Sequence, residues 1–157
     1  MIRVGIGYDL HRLVSGRKLL LGGIELPFER GEDGHSDGDV LFHAVTDAVL
    51  GAAGLGDIGS FFPPEDSKWK DADSAFLLKT VMDKVYTDGW KIENLDCVVK
   101  LEKPKFIPYR EKVIASIASV LGVEKNQVFV KAKTGEKLPP VGTSDAVEAY
   151  VVCLLCK

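Results

Sequence analysis

The stretch GYDLHRL, residues 7–13, places a carboxylate and an imidazole two positions apart, at Asp9 and His11. In an extended strand residues i and i+2 point to the same side, roughly 6.5–7 Å apart along the chain, so both can converge on one ion. Taken alone, the pair reads better as a polar pair at a strand end. The other histidines bear on the choice. There are three in the chain, His11, His35 and His43, all near its start and beside Asp37, Asp39 and Asp47. Asp9, His11 and His43 together offer one carboxylate oxygen and two imidazole nitrogens. That set suits zinc with three protein ligands and an open fourth position, the catalytic rather than the structural pattern. His43 by itself also reads as a hydrogen-bonded core histidine on an apolar helix. Asp47, one helical turn further on, is placed to accept a hydrogen bond from the second ring nitrogen of His43.

Features suited to a phosphate lie around these residues. The loop GHSDGD (34–39) carries His35 and Ser36 just ahead of an inferred helix. Helix N-termini favour anions, because free N–H groups and the helix dipole both point there. GLGDIGSFFP (54–63) sets Asp57 among glycines that permit close backbone approach, although an ordinary helix stop reads the same way. VKAKTGEK (130–137) brings Lys131, Lys133, Thr134, Glu136 and Lys137 to a strand end. That suits phosphate and a second, hard cation, or else a solvated edge whose lysines block strand pairing.

The elements that must position these groups follow from periodicity. Residues 2–9 alternate loosely as a strand, and KLLLGGIELPF (18–28) reads as a hairpin turning at Gly22-Gly23. Residues 29–39 form a polar, glycine-rich loop. From Val40, the residues Ala44, Val45, Ala48, Val49 and Ala52 recur at helical spacing, with Asp39 as N-cap and Gly54 and Gly56 as the stop. Residues 56–73 read as a loop with two exposed-looking aromatics. Ser74 is expected to cap a second helix reaching Gly89, with Phe76, Leu77, Val81 and Val85 inward. Strands are expected at 93–102, 127–134 and 146–156, and a third helix from Pro108 to Gly122. The fold class that results is α+β: a mixed sheet with helices on one face, two layers, in one domain spanning 1–157.

Composition narrows the function. A net charge of −3 and a pI near 5.6 provide no broad basic surface for nucleic acid. No apolar run approaches a membrane span, and residues 1–12 lack the pattern of a signal peptide. Three cysteines, an odd number, point to a reducing compartment. Cys153 and Cys156 have C-x-x-C spacing, but inside the apolar run AVEAYVVCLLC they read as buried strand residues.

The ordered set GYDLHRL, LGG, HSDGDVLFHAVTDAVLGAAGLGDIGSFFP, DADS, KPK and VKAKTGEKL resembles the 2-C-methyl-D-erythritol 2,4-cyclodiphosphate synthase family, from residue 2 to about residue 138. The resemblance implies a homotrimer of the non-mevalonate isoprenoid pathway, cytoplasmic in a bacterium, or in the plastid stroma once a transit peptide is removed. The implied reaction converts 4-diphosphocytidyl-2-C-methyl-D-erythritol 2-phosphate to the cyclic diphosphate with release of CMP. It implies Asp9, His11 and His43 as zinc ligands, and His35 and Thr134 as the residues stabilising the transition state. Substrate contacts are implied for Asp9, His11, His35, Ser36, Asp57, Ile58, Gly59, Phe62 and Asp66. The segment Leu101 to Ile107, including Pro104, Lys105 and Phe106, corresponds to the cytidine pocket. Lys133, Thr134 and Glu136 correspond to the diphosphate segment, with Glu136 on a second divalent ion, magnesium or manganese.

This chemistry suits the inventory. The substrate's own 2-phosphate is the nucleophile, so no protein base is required, and phosphoryl transfer is mainly positioning plus electrostatic stabilisation. The chain departs from the family pattern at Pro64, Lys133, Pro140 and Thr143, which stand where aspartate, threonine, an aromatic and arginine are frequent. Some relatives hold an isoprenoid diphosphate on the trimer axis through that arginine; Thr143 offers no charged, forked donor, so tight binding there is not expected. Two other readings stay open: a zinc-dependent phosphoester hydrolase, which would leave a linear phosphate carrying solvent oxygen, and a non-catalytic metal-stabilised oligomer.

Overall fold

The computed structural model, which describes residues 1–63, 65–69 and 71–157, carries the first strand further than its apolar pattern predicts: β1 spans Ile2–Ser15. Asp9 and His11 interrupt the alternation, but main-chain pairing overrides it. β7 (Ala146–Cys156) runs antiparallel to β1 from Ile2↔Cys156 to Arg12↔Ala146. A short β4 (Arg30–Glu32), inside the expected polar loop, pairs with Leu13–Ser15. Its RGE sequence has no periodicity to announce a strand; only the neighbour creates one.

The remaining strands are β2 (Leu19–Leu21), β3 (Ile24–Leu26), β5 (Lys91–Lys100) and β6 (Val128–Lys133). β2 and β3 form the expected hairpin, and Gly22 and Gly23 both take positive φ (58° and 76°). Two such residues in succession are what a tight two-residue turn between twisted strands requires. The main sheet has the order β4-β1-β7-β5-β6, with β5 and β6 parallel and the other neighbours antiparallel.

Among the described residues four helices accompany it: α1 (Val40–Ala53), α2 (Ile58–Phe61), α3 (Ser74–Thr87) and α4 (Arg110–Leu121). α1 starts and stops as its sequence predicts, with Asp39 as N-cap and Gly54 left-handed at φ 73°. Asp39 is fully buried and also accepts the N–H groups of Gly22 and Gly23, tying the hairpin to the helix start. Burial raises its carboxyl to about 6 against the pull of those donors. α3 differs by one residue from expectation. Asp73, not Ser74, caps it through Phe76 N–H at 3.0 Å. The inward stripe is then Ser74, Leu77, Leu78, Val81, Met82 and Val85, and Phe76 is 59% exposed. The loop ahead of α3 contains α2 and a 3-10 turn at Ser67–Trp69. Pro108 lies in a 3-10 turn, Ile107–Tyr109, that leads into α4.

α1, α3 and α4 cover one face of the sheet, whose inward residues form a single core with theirs. On β1 the odd-numbered residues Gly5, Gly7, Asp9, His11 and Leu13 share the helix side, as period-2 alternation requires. The other face carries Ile2, Val4, Ile6, Tyr8 and Leu10 of β1 with Phe129, Tyr150 and Val152, all exposed.

Gly5 and Gly7 decide how closely α1 approaches. A Cβ at Gly7 would lie 1.9 Å from Ala44 O, and one at Gly5 1.9 Å from Ala48 O. Glycines on the strand thus meet Ala44, Ala48 and Ala52 on the helix, so backbone rests nearly on backbone. That fixes the height of His43 above Asp9.

Candidate metal centre and substrate cavity

Three candidate ligand atoms converge where β1 passes beneath the start of α1. Asp9 Oδ2 lies 3.0 Å from His11 Nε2 and 3.0 Å from His43 Nδ1. All three candidate ligand atoms are within 4.8 Å of one another, and their side chains are only 13–29% exposed. The His11 Nδ1 is 2.6 Å from Gly38 O. A carbonyl can only accept, so Nδ1 carries the proton and the Nε2 lone pair faces the Asp9 carboxylate. Two acceptors aimed at each other across 3.0 Å need a cation between them, whether a proton or a metal ion. Burial opposes charge on Asp9, but the hydrogen bonds and charges of both imidazoles outweigh it and hold its carboxyl far below the usual range. Burial likewise pulls the His11 pKa down, and the Asp9 hydrogen bond and charge more than reverse it, so the net direction is up.

Asp47 does not take the role its spacing suggests. Its Oδ1 accepts Ile58 N–H at 2.8 Å and so holds the start of α2, while His43 Nε2 faces Ser36 Oγ (3.0 Å) and Ser74 Oγ (2.9 Å). The ring of His43 is turned across the helix axis toward β1 and the loop, away from its own next turn.

A cavity of about 270 Å³ opens beside the three residues. Of the sequence-predicted contacts, it is lined by Asp9, His11, His35, Ser36, His43, Ile58, Gly59 and Phe62. Asp57, the N-cap of α2 with its carboxyl held down by Ser60, and Asp66, paired with Lys68, are not among the lining residues. Phe62 is 7% exposed, contrary to the expected exposed aromatic, and packs edge-on to Trp69 with centroids 4.8 Å apart. Trp69 and Leu77 also line the cavity and were missed; a lone tryptophan in a polar loop was the available signal. Pro64 lies outside the described residues. The loop itself is stapled from behind by Arg17, whose guanidinium donates to the carbonyls of Glu32, Gly34 and Ser36.

The second group of predicted residues gathers elsewhere. Leu101 N–H donates to Lys133 O, Gly135 N–H to Glu102, and Thr134 Oγ1 to Glu136 Oε1 at 3.0 Å. Glu136 and Lys137 both take left-handed φ (52° and 60°), a conformation costly for side chains and concentrated at functional turns. Leu101 and Phe106 are buried, so those positions present mainly backbone. Sheet register puts Leu10, Glu148, Lys100 and Lys133 in one row, but β1 and β6 are three strand spacings apart, roughly 14 Å. Among the described residues, none of 101–107 or 133–136 lines the cavity.

The C-x-x-C pair is no site. Three positions apart on β7, Cys153 and Cys156 face opposite sides, and burial pushes the thiols of Cys153 and Cys97 up to about 12. Among the described residues no helix is long and apolar enough to cross a membrane.

Comparison with known proteins places the whole chain, not only the cavity, in one family. A family model described as the YgbB family matches residues 2–156. The 2-C-methyl-D-erythritol 2,4-cyclodiphosphate synthase of Treponema denticola is 57% identical over 154 residues, covering 98% of this chain and 96% of that protein. The synthase of the same name from Neisseria gonorrhoeae is 51% identical over 156 residues, covering 99% and 98%. A solved structure of such a synthase, in a form bound to CDP, matches with a TM-score of 0.90 at 38% identity, covering 98% of this chain and all of that one. The bifunctional IspDF of Campylobacter jejuni matches with a TM-score of 0.94 at 40% identity; this chain is covered over 99% and spans 42% of that longer protein. The chain belongs to the YgbB family, that of the 2-C-methyl-D-erythritol 2,4-cyclodiphosphate synthases.

Proposed function

We propose that the protein converts 4-diphosphocytidyl-2-C-methyl-D-erythritol 2-phosphate to 2-C-methyl-D-erythritol 2,4-cyclodiphosphate and CMP. The observation that carries this reading is the convergence of Asp9, His11 and His43 at the wall of a cavity that His35 and Ser36 also line. The donor set, one carboxylate and two neutral imidazoles fixed from behind, fits zinc; Glu136 would serve a magnesium or manganese ion. Bound there, the metals supply charge neutralisation to the phosphate oxygens. The substrate's 2-phosphate oxygen attacks the β-phosphorus, the β-phosphorus–oxygen bond to the α-phosphate breaks, and CMP leaves with that oxygen. His35 and Thr134 donate to the charge that develops in passing. Asp57, Ile58 and Gly59 hold the methylerythritol part and Phe62, in the following substrate loop, helps exclude water, while the backbone of 101–107 reads the cytosine ring. Incubation with the cytidylated substrate should release CMP and the cyclic product; a linear phosphate carrying solvent oxygen would instead favour hydrolysis.

Neither His35 nor Thr134 is needed to hold zinc in this reading. His35→Ala and Thr134→Ala should each lower kcat by on the order of 10²–10³, the usual cost of one donor to developing charge, with zinc content unchanged. A Thr134→Ala variant with the parent's kcat would remove that residue from the mechanism.

We also propose a homotrimer with sites between chains. Two features support it: the exposed apolar face of β1 and β7, too large a hydrophobic patch for water, and the separation of the phosphate-type turn at 133–136 from the cavity within one chain. Sedimentation equilibrium should give three times the chain mass, and a monomer would defeat the assignment. Thr143 Oγ1 is turned onto its own loop, at Pro140 O (3.0 Å) and Asp145 Oδ2 (2.5 Å), which supports weak or no capture of an isoprenoid diphosphate on the axis.

A further inference from the structure

Ser74 does not cap its helix, yet it is 1% exposed and polar. Its hydroxyl lies 2.5 Å from Asp37 Oδ1 and 2.9 Å from His43 Nε2. The partners fix the direction of both bonds. Asp37 is already an acceptor on each oxygen, from the Ser74 N–H at Oδ2 (3.0 Å) and the Asp39 N–H at Oδ1 (3.1 Å). The Ser74 proton therefore goes to Asp37, and its lone pair faces His43. Nε2 of His43 then carries a proton that it donates to Ser74. A neutral imidazole has only one N–H, so its Nδ1 lone pair is left pointing at Asp9 Oδ2, 3.0 Å away.

Ser36 is affected by the same logic. Its Oγ lies 3.0 Å from His43 Nε2 and accepts Gly38 N–H at 3.2 Å. It cannot donate to a nitrogen that already bears a proton. The Ser36 hydroxyl proton is thus free for a group in the cavity.

We propose that Asp37 and Ser74 are positioning residues that hold His43 as its Nε2–H tautomer and so aim Nδ1 at the site shared with Asp9 and His11. The inference rests on reading that trio as the metal centre, not on the cyclisation. Partners of this kind behind a ligating histidine typically change metal affinity about 10- to 100-fold.

The test uses the full chain stripped of metal and titrated with zinc against a chromophoric chelator, with ¹⁵N spectra of the imidazole nitrogens recorded in parallel. Ser74→Ala should bind zinc about 10- to 100-fold more weakly and lose the single Nε2–H signature of His43. Ser74→Thr, which restores the hydroxyl, should regain both. Should Ser74→Ala also lower the urea midpoint, the nitrogen spectrum still decides, because a loss of packing alone leaves the tautomer in place. Parent affinity and parent nitrogen shifts in Ser74→Ala would overturn the proposal, and so would a parent chain that takes up no zinc. A parent that binds zinc but releases no CMP would overturn the cyclisation and leave the positioning role of Asp37 and Ser74 standing.

Discussion

His43→Ala is expected to lose its zinc and its CMP release together, while keeping a cooperative urea transition. The side chain supplies one of three converging ligand atoms and is only 14% exposed, so no water-filled gap can substitute for it at the same point. The loss of rate should exceed the about 10²–10³-fold cost of removing a single donor, because the whole positive charge goes with the ligand. The fold should survive. α1 keeps Val40, Leu41, Ala44, Val45, Ala48 and Val49 in the core, and Asp39 still caps it. Elemental analysis of the purified variant is the direct check; one zinc per chain remaining in His43→Ala would show that the assignment is wrong.

Gly7→Ala should be nearly as damaging, although glycine and alanine differ by one methyl group and Gly7 touches no substrate. A Cβ 1.9 Å from Ala44 O is well inside the roughly 3.3–3.6 Å of an ordinary carbon–oxygen contact, so α1 must lift by more than about 1 Å. Overpacking of this sort costs about 1–3 kcal/mol, and two rigid backbones in contact place Gly7 at the upper end. Lifting α1 also raises His43 off Asp9, and a misplacement of about 1 Å can cost about 10²-fold in rate. Gly51→Ala is the control on the same helix. Its added Cβ would meet only Ile6 O at 4.0 Å, so it should stabilise by about 0.5–1 kcal/mol through helix propensity alone. Urea midpoints and zinc titrations of the two variants should therefore move in opposite directions for stability, and only Gly7→Ala should lose zinc affinity. Equal behaviour of the two would sink the idea that the glycines set the height of the helix.

The convergence of Asp9, His11 and His43 was legible in the sequence, because D-x-H on a strand and a histidine early in a helix are local patterns with fixed geometry. The hairpin at Gly22-Gly23, the limits of α1 and the last strand were legible for the same reason: turn residues, caps and periodicity act over a few positions. What depended on distant partners was not. β1 runs on past Asp9 because β7 and β4 satisfy its backbone, and β4 exists only by pairing. The roles of Asp47 and Ser74 were exchanged relative to their local spacing. Asp47 turns to the start of α2, and Ser74, whose spacing predicts a cap, reaches His43 from 31 residues away. A hydrogen-bond partner is chosen by which groups burial brings together, and sequence spacing fixes that only within one helix turn or one strand. Gly5 and Gly7 carried no chemical signal at all. Their meaning lies in the empty space where a side chain would be, and only the helix packed against them defines it.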